Sequence, residues 1–249
     1  MSITPMVNSE AELKSAIEGL YGTFSRYPLP ERIDAAPSVS AADQALLYSK
    51  DLRDLGCDEL VQYSFDALTT WGWTDAFRHF LPRIFELIAA DGDGWTVPEI
   101  VFGKLGYGHW ETWPSDEREA IMVFFEALWS NVLDHFPNAL SAEDCLCWIA
   151  LAADDMARYL SRWRIAQSLP HAKHFAAFIA NNPDWSPRHG WSLNDTYWRE
   201  RPVAARQVVE WLRDPARKTE MDQAFFQFAR DGEDTAVLSK AADDLARLS

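Results

Sequence analysis

The sequence is poor in cysteine, glycine and positive charge, and it has no long apolar run. Cys57, Cys145 and Cys147 are its only thiols in 249 residues. An odd number without regular spacing is not a disulfide framework. Cys145 and Cys147 are two apart, so on a helix they point in different directions and make poor partners for one metal ion. The longest apolar stretch, 146–153, is far shorter than the roughly 18 residues of a membrane helix. Lys and Arg number 23 against 38 Asp and Glu, for a formal charge of −15. Nucleic-acid binding is driven by cationic side chains that neutralise phosphates. The densest basic segments, 158–164 and 213–218, are diluted by acidic or apolar neighbours. These deficits lead us to expect no nucleic-acid partner, no membrane partner, no metal and no cofactor.

The usual short motifs are missing as well. There is no GxSxG, GxGxxG or GxxxxGK[ST] sequence, which empties the motif routes to hydrolase, dinucleotide and P-loop chemistry. Asp91-Gly-Asp-Gly begins like a calcium loop, but Thr96 stands where that loop needs Gly and Phe102 where it needs Glu. A plain turn is expected there. Asp154-Asp155-Met-Ala-Arg158 invites comparison with aspartate-rich metal-diphosphate sites, yet Arg158 replaces a further carboxylate. Acidic residues at a helix start explain it better. His171 and His174 could share a helical face but have no third ligand, so surface or edge histidines are expected. The opening, MSITPMVNSEAEL, has neither the positive nor the apolar part of a secretory signal. Together with the odd, irregularly spaced cysteines, this points to a reducing cytoplasm.

What is abundant is hydrophobic and aromatic. Hydrophobic residues make up 48%, with 12 Trp, 7 Tyr and 14 Phe, enough for a sizeable core. Their spacing is helical almost throughout. Ser9 and Glu12 read as a capping box ahead of the stripe Leu13, Ile17, Leu20 and Phe24. Pro28, Pro30 and Pro37 mark a connection. Helices are expected over 41–48 and 58–68. In 74–90 the stripe Phe77, Leu81, Ile84 and Ile88 opposes Asp75, His79, Arg83 and Glu86. Pro82 either kinks that helix or breaks it near Leu81. Gly103, Gly106 and Gly108 interrupt the next apolar segment, before the longest candidate, 115–135. Ser141 with Asp144 caps another helix, with a break expected near Asp154. Helices follow from Pro170 to Ile179 and over 203–212, 215–229 and 235–248, while 184–202 reads as a packed loop.

The expected fold is therefore all-α. It has about ten short helices stacked as hairpins in an irregular α-solenoid. We expect a single domain over 1–249, with 184–249 as a candidate minor lobe. AADDMAR at 152–158 and AADDLAR at 241–247 match closely, but two short matches do not establish a repeat.

Tryptophans cluster around predicted turns at Trp71, Trp73, Trp95, Trp110 and Trp113, and again at Trp185, Trp191 and Trp198. Large rings near helix ends can seal a core or anchor a protein interface. The candidate binding surface combines Trp71, Trp73, Trp110 and Trp113 with Arg78, His79, Arg83, His109 and Glu111. His79 titrates near neutrality in an ordinary environment, although Asp75 and Arg83, four residues to either side, also suit a surface ion network. The leading functional reading is a non-enzymatic binding or scaffold protein that contacts another protein; a toxin-neutralising immunity protein is one version of it. The alternative is an enzyme, such as a hydrolase, whose dispersed site would join Arg78, His79 and Glu111 in a pocket.

The segments Tyr63-Ser-Phe-Asp-Ala-Leu-Thr-Thr-Trp-Gly and Phe77-Arg-His-Phe-Leu-Pro-Arg-Ile-Phe-Glu-Leu resemble a family of uncharacterised bacterial proteins. Phe102-Gly-Lys-Leu and Trp110-Glu-Thr-Trp-Pro extend the resemblance over roughly 63–133. The family implies no activity and no catalytic residues. Related sequences carry a cysteine-rich stretch before this region. Here residues 27–40 contain no cysteine, so no metal or redox role is carried over.

Overall fold

A computed structural model of the chain describes residues 8–90, 98–186, 190–193 and 196–248. Of 183–186, 190, 191, 196, 197 and 248 it describes the backbone alone. The fold is all-α. Among the described residues there are thirteen α-helices, three short 3-10 turns and one two-stranded hairpin. The helices gather into two compact units, 1–128 and 129–249. The boundary lies inside a helix rather than at the loop near 184.

In the first unit, α1 spans Ser9–Phe24, α2 Ala41–Leu46, α3 Cys57–Asp66, α4 Thr74–Ala90 and α5 Pro98–Tyr107. The N-cap of α1 is Asn8, whose side chain accepts from the Glu10 amide, not Ser9. An Asn one residue earlier serves the exposed first-turn amides equally well. α4 runs unbroken through Pro82. Its apolar stripe is buried along the whole length, and this burial outweighs the one backbone bond that Pro82 cannot donate. α5 likewise continues through Gly103 and Gly106 and stops before Gly108. Val101, Phe102 and Leu105 are fully buried there, which offsets the low helix propensity of glycine. The Asp91–Gly94 turn and Thr96 lie outside the described residues.

α6, Ser115–Asp134, supplies its first part to one unit and its last turns to the other. In the first unit Phe85 of α4 stacks on Phe124 of α6 with ring centres 4.6 Å apart, and Phe102 of α5 stacks on Phe125 at 5.0 Å. This aromatic cluster joins α4, α5 and α6, and α1 packs against α4.

The second unit contains α7 (Ala142–Ala152), α8 (Ala157–Leu160), α9 (Leu169–Asn181), α10 (Thr196–Glu200), α11 (Pro202–Leu212), α12 (Pro215–Phe228) and α13 (Gly232–Leu248). The Ser141 cap forms as expected, its hydroxyl accepting from the Asp144 amide at 2.9 Å. Trp163 is fully buried at the centre. It meets Trp129, Phe175 and Phe178 edge-on and stacks on Trp211 at 5.5 Å. The stretch from 184 is not simply a packed loop. Pro183–Ser186 (β1) pairs antiparallel with Gly190–Leu193 (β2), with Trp185 opposite Trp191, and α10 follows. Four-residue strands carry too little alternation to stand out in a sequence.

Candidate functional site

The Trp71–Trp73 turn is built from the backbone up. Trp71 pairs with Ala35 in an isolated bridge. The Ala36 amide donates to the Thr70 carbonyl and the Gly72 amide to the Asp34 carbonyl, both at 2.7 Å. Gly72 sits at φ 75°, in the left-handed region. A Cβ there would also come within 2.7 Å of an Ile33 methyl carbon. The turn thus needs glycine twice over. It points Trp71 inward, 1% exposed and edge-on to Tyr63 at 5.3 Å. It leaves Trp73 74% exposed.

The other candidate residues divide in the same way. Trp110 and Trp113 are buried, and the Trp113 indole N–H donates to the Gly108 carbonyl at 3.0 Å. Three of the four tryptophans of the expected surface are therefore core, and at Trp113 the polar tip of the indole is satisfied inside the fold. His109 and Glu111 are well exposed and lie 3.5 Å apart.

Arg78 is turned inward. Its guanidinium lies 4.3 Å from the centre of the Trp113 ring, donates to the Tyr27 hydroxyl at 3.0 Å and stands 3.3 Å from Glu117. Glu117 is fully buried and accepts the Tyr27 O–H at 2.5 Å. Burial, followed by the bond to Glu117, raises the Tyr27 pKa above the usual phenol value. Arg26 pairs with the neighbouring Asp116 at the same corner. This node ties the end of α1 and the start of α4 to the first turn of α6.

Arg83 makes a second chain of contacts. Its Nε donates to the Leu55 carbonyl at 2.7 Å, and a terminal nitrogen pairs with Glu86 at 2.6 Å. Glu86 in turn accepts the Tyr21 O–H at 2.6 Å. Burial and that bond push the Tyr21 phenol well above its usual range. These links hold the Tyr21 ring at the wall of an open cleft of about 810 Å³.

That cleft is lined by α1, the 3-10 turn at Leu52–Asp54 and the outer face of α4 around His79 and Pro82. His79 Nδ1 lies 2.8 Å from the Tyr27 carbonyl. A carbonyl oxygen can only accept, so Nδ1 carries the proton. Burial lowers the His79 pKa, opposed by this bond, and the neutral ring keeps a lone pair on Nε2. Across the cleft Glu18 takes both terminal nitrogens of Arg53, at 2.8 and 2.7 Å. The Arg53 guanidinium lies 3.7 Å above the Tyr21 ring.

The chain matches no protein-family model, no curated protein and no solved structure. Residue roles must therefore come from the side chains themselves.

Arg78 and His79 both bond to Tyr27, at its hydroxyl and its carbonyl, and Arg78 also pairs with Glu117, whereas Glu111 pairs with His109. Tyr27, Glu117, Tyr21, Glu86, Glu18 and Arg53 form the organised polar features, and spacing singled out only Glu86 among them, as part of a surface face. Glu117 reads as an ordinary first-turn acid beside Asp116. The one sequence hint was Glu18 and Tyr21, three apart on α1 beside its apolar stripe. Among the described residues no group of three or more His, Cys, Asp or Glu side chains could hold a metal ion.

In the second unit His171 and His174 are buried, not on the surface or an edge. His171 Nε2 lies 3.1 Å from Asp134, and His174 Nε2 lies 2.8 Å from the His135 carbonyl. Polar partners at the last residue of α6 and the residue after it let both rings enter the core. Cys145 and Cys147 are also buried. Burial raises the Cys145 thiol pKa above its usual value, which disfavours the thiolate. No described helix is long and apolar enough to cross a membrane.

Proposed function

We propose that this protein works by binding another protein, and that Trp73 is a contact residue. The observation that carries this reading is a large indole left 74% exposed on a turn that is otherwise fixed. Two 2.7 Å backbone bonds, the left-handed Gly72 and the buried Trp71 hold the turn in place. An aromatic ring presented on a rigid support loses little freedom on association. Tryptophan is also among the residues most enriched at interface hot spots. The formal charge of −15 favours a basic partner through complementarity. An enzyme built on Arg78, His79 and Glu111 draws less support, because Arg78 and His79 are committed to Tyr27 and Glu117 while Glu111 pairs with His109.

The test uses the full chain as bait, as wild type, Trp73→Ala and Phe226→Ala. Phe226 is 86% exposed on α12 and serves as the control for exposed rings in general. The reading expects a basic protein that is retained by wild type and Phe226→Ala and lost with Trp73→Ala, at equal melting temperatures. Capture that ignores Trp73, or no specific capture, would reject it.

A further inference from the structure

The cleft of the first unit holds a complete recognition site for a guanidinium group, occupied by a residue of the chain itself. Glu18 offers both carboxylate oxygens to Arg53 in a fork, at 2.8 and 2.7 Å. Tyr21, one turn further along α1, lies beneath the same guanidinium at 3.7 Å. A bidentate carboxylate and an aromatic face are the two elements that planar guanidinium recognition uses. The platform is held from behind, since Tyr21 is bonded to Glu86, Glu86 to Arg83, and Arg83 to the Leu55 carbonyl.

The occupant is open to exchange. The Arg53 and Glu18 side chains are each about half exposed, 50% and 54%. Water screens so open a pair, and a second guanidinium would remake the same fork and ring contact, so replacing one by the other costs little. Arg53 also does not fill the space, which is about 810 Å³. The remaining lining is suited to a basic side chain on an apolar stem. Phe24, Pro28 and Pro82 supply apolar wall, while Asp51 and Asp54 add acid at the rim. His79 adds an acceptor, because its Nδ1 is committed to the Tyr27 carbonyl.

We infer that this cleft receives an arginine side chain of a basic protein partner, which displaces Arg53 from Glu18 and Tyr21. The inference rests on the protein-binding reading, but Trp73 is not among the residues lining the cleft, so the two can fail separately. Arg53 acts as a tethered competitor that keeps the apparent affinity low until a partner with further contacts arrives.

The test is calorimetric titration of the full chain with three probes: a short peptide carrying one arginine between apolar residues, the same peptide with citrulline, and agmatine. The arginine peptide is expected to bind wild type. Arg53→Ala should bind it about tenfold tighter, because the competing internal state is gone. Citrulline, which keeps the shape and loses the charge, should not bind. Adding Glu18→Gln to Arg53→Ala should remove binding while the melting temperature stays that of Arg53→Ala. Trp73→Ala should leave peptide binding unchanged, so a failed capture experiment at Trp73 does not decide this one. No binding to folded Arg53→Ala would overturn the inference, as would binding that survives Glu18→Gln. Agmatine binding as tight as the peptide would overturn the assignment to a protein and point to a free guanidinium compound instead.

Discussion

Trp71 and Trp73 are two residues apart and nearly span the range of exposure, from 1% to 74%. The backbone turn between them decides which ring is core. Trp71→Ala should therefore cost about 3–5 kcal/mol of unfolding free energy, through lost burial and the cavity left behind. Trp73→Ala should stay within about 0.5 kcal/mol of wild type. Urea unfolding of the two variants checks this, and a large loss from Trp73→Ala would mean that the exposed ring supports the fold. The node at Glu117 allows a second comparison. Removing Glu117 leaves Arg78, only 13% exposed, without its buried carboxylate and with the exposed Asp75 as its remaining acidic partner. Glu117→Ala should thus cost about 3 kcal/mol or more. Tyr27→Phe removes the bond to Glu117 and the one accepted from Arg78 and should cost about 1–2 kcal/mol. Equal losses would show that the phenol, not the ion pair, holds that corner.

At the scale of elements, α9 carries two buried histidines on one face. Burial is the largest cause lowering the pKa of each below the ordinary 6.5, opposed at His171 by Asp134 and at His174 by the His135 carbonyl. The sign follows directly. In the unfolded chain these rings take up protons near 6.5, while in the folded chain they resist until a lower pH. Through that window the unfolded state holds more protons, so stability is complete above about pH 6.5 and falls as the pH drops below it. Urea midpoints measured from about pH 7.5 down to pH 5 should fall, and His171→Gln with His174→Gln should flatten the trend. The part due to His79, whose pKa burial also lowers, would remain. A midpoint that rises on acidification would contradict the buried, neutral assignment. Elements also show how far local sequence reaches. AADDLAR at 241–247 lies wholly within α13, whereas AADDMAR at 152–158 leaves α7, crosses a break and enters α8. There Asp155 accepts from the Ala157 amide and the Met156 amide donates to Gln207 of α11. The same residues form a helix in one place and a capped break in the other, according to what lies beside them.

For the whole molecule, the relevant quantity is charge. With a formal charge of −15, approach of a basic partner should be steered by a field that salt screens over about 8 Å at physiological ionic strength. The association rate should fall about tenfold or more between low and high salt. The loss caused by Trp73→Ala should appear mainly in the dissociation rate. Surface-based kinetics at several salt concentrations would separate the two, and a salt-independent rate would remove charge from the account of partner choice.

The sequence alone determined the all-α class and most helix positions. Helical spacing of apolar residues is a local property, and a core-facing stripe such as Phe77, Leu81, Ile84 and Ile88 shows it without knowledge of the neighbour. Caps of the Ser141 kind are local too, since donor and acceptor lie three residues apart. Only the tertiary structure decided which tryptophans are core, that Pro82 and two glycines stay inside helices, and that 183–193 forms a hairpin. It also decided the candidate sites. Glu117 meets Arg78 and Tyr27 across 39 and 90 residues of chain, and Glu18 meets Arg53 across 35. Such pairs depend on how helices pack, and a residue's neighbours along the chain do not encode which distant side chain will stand opposite it.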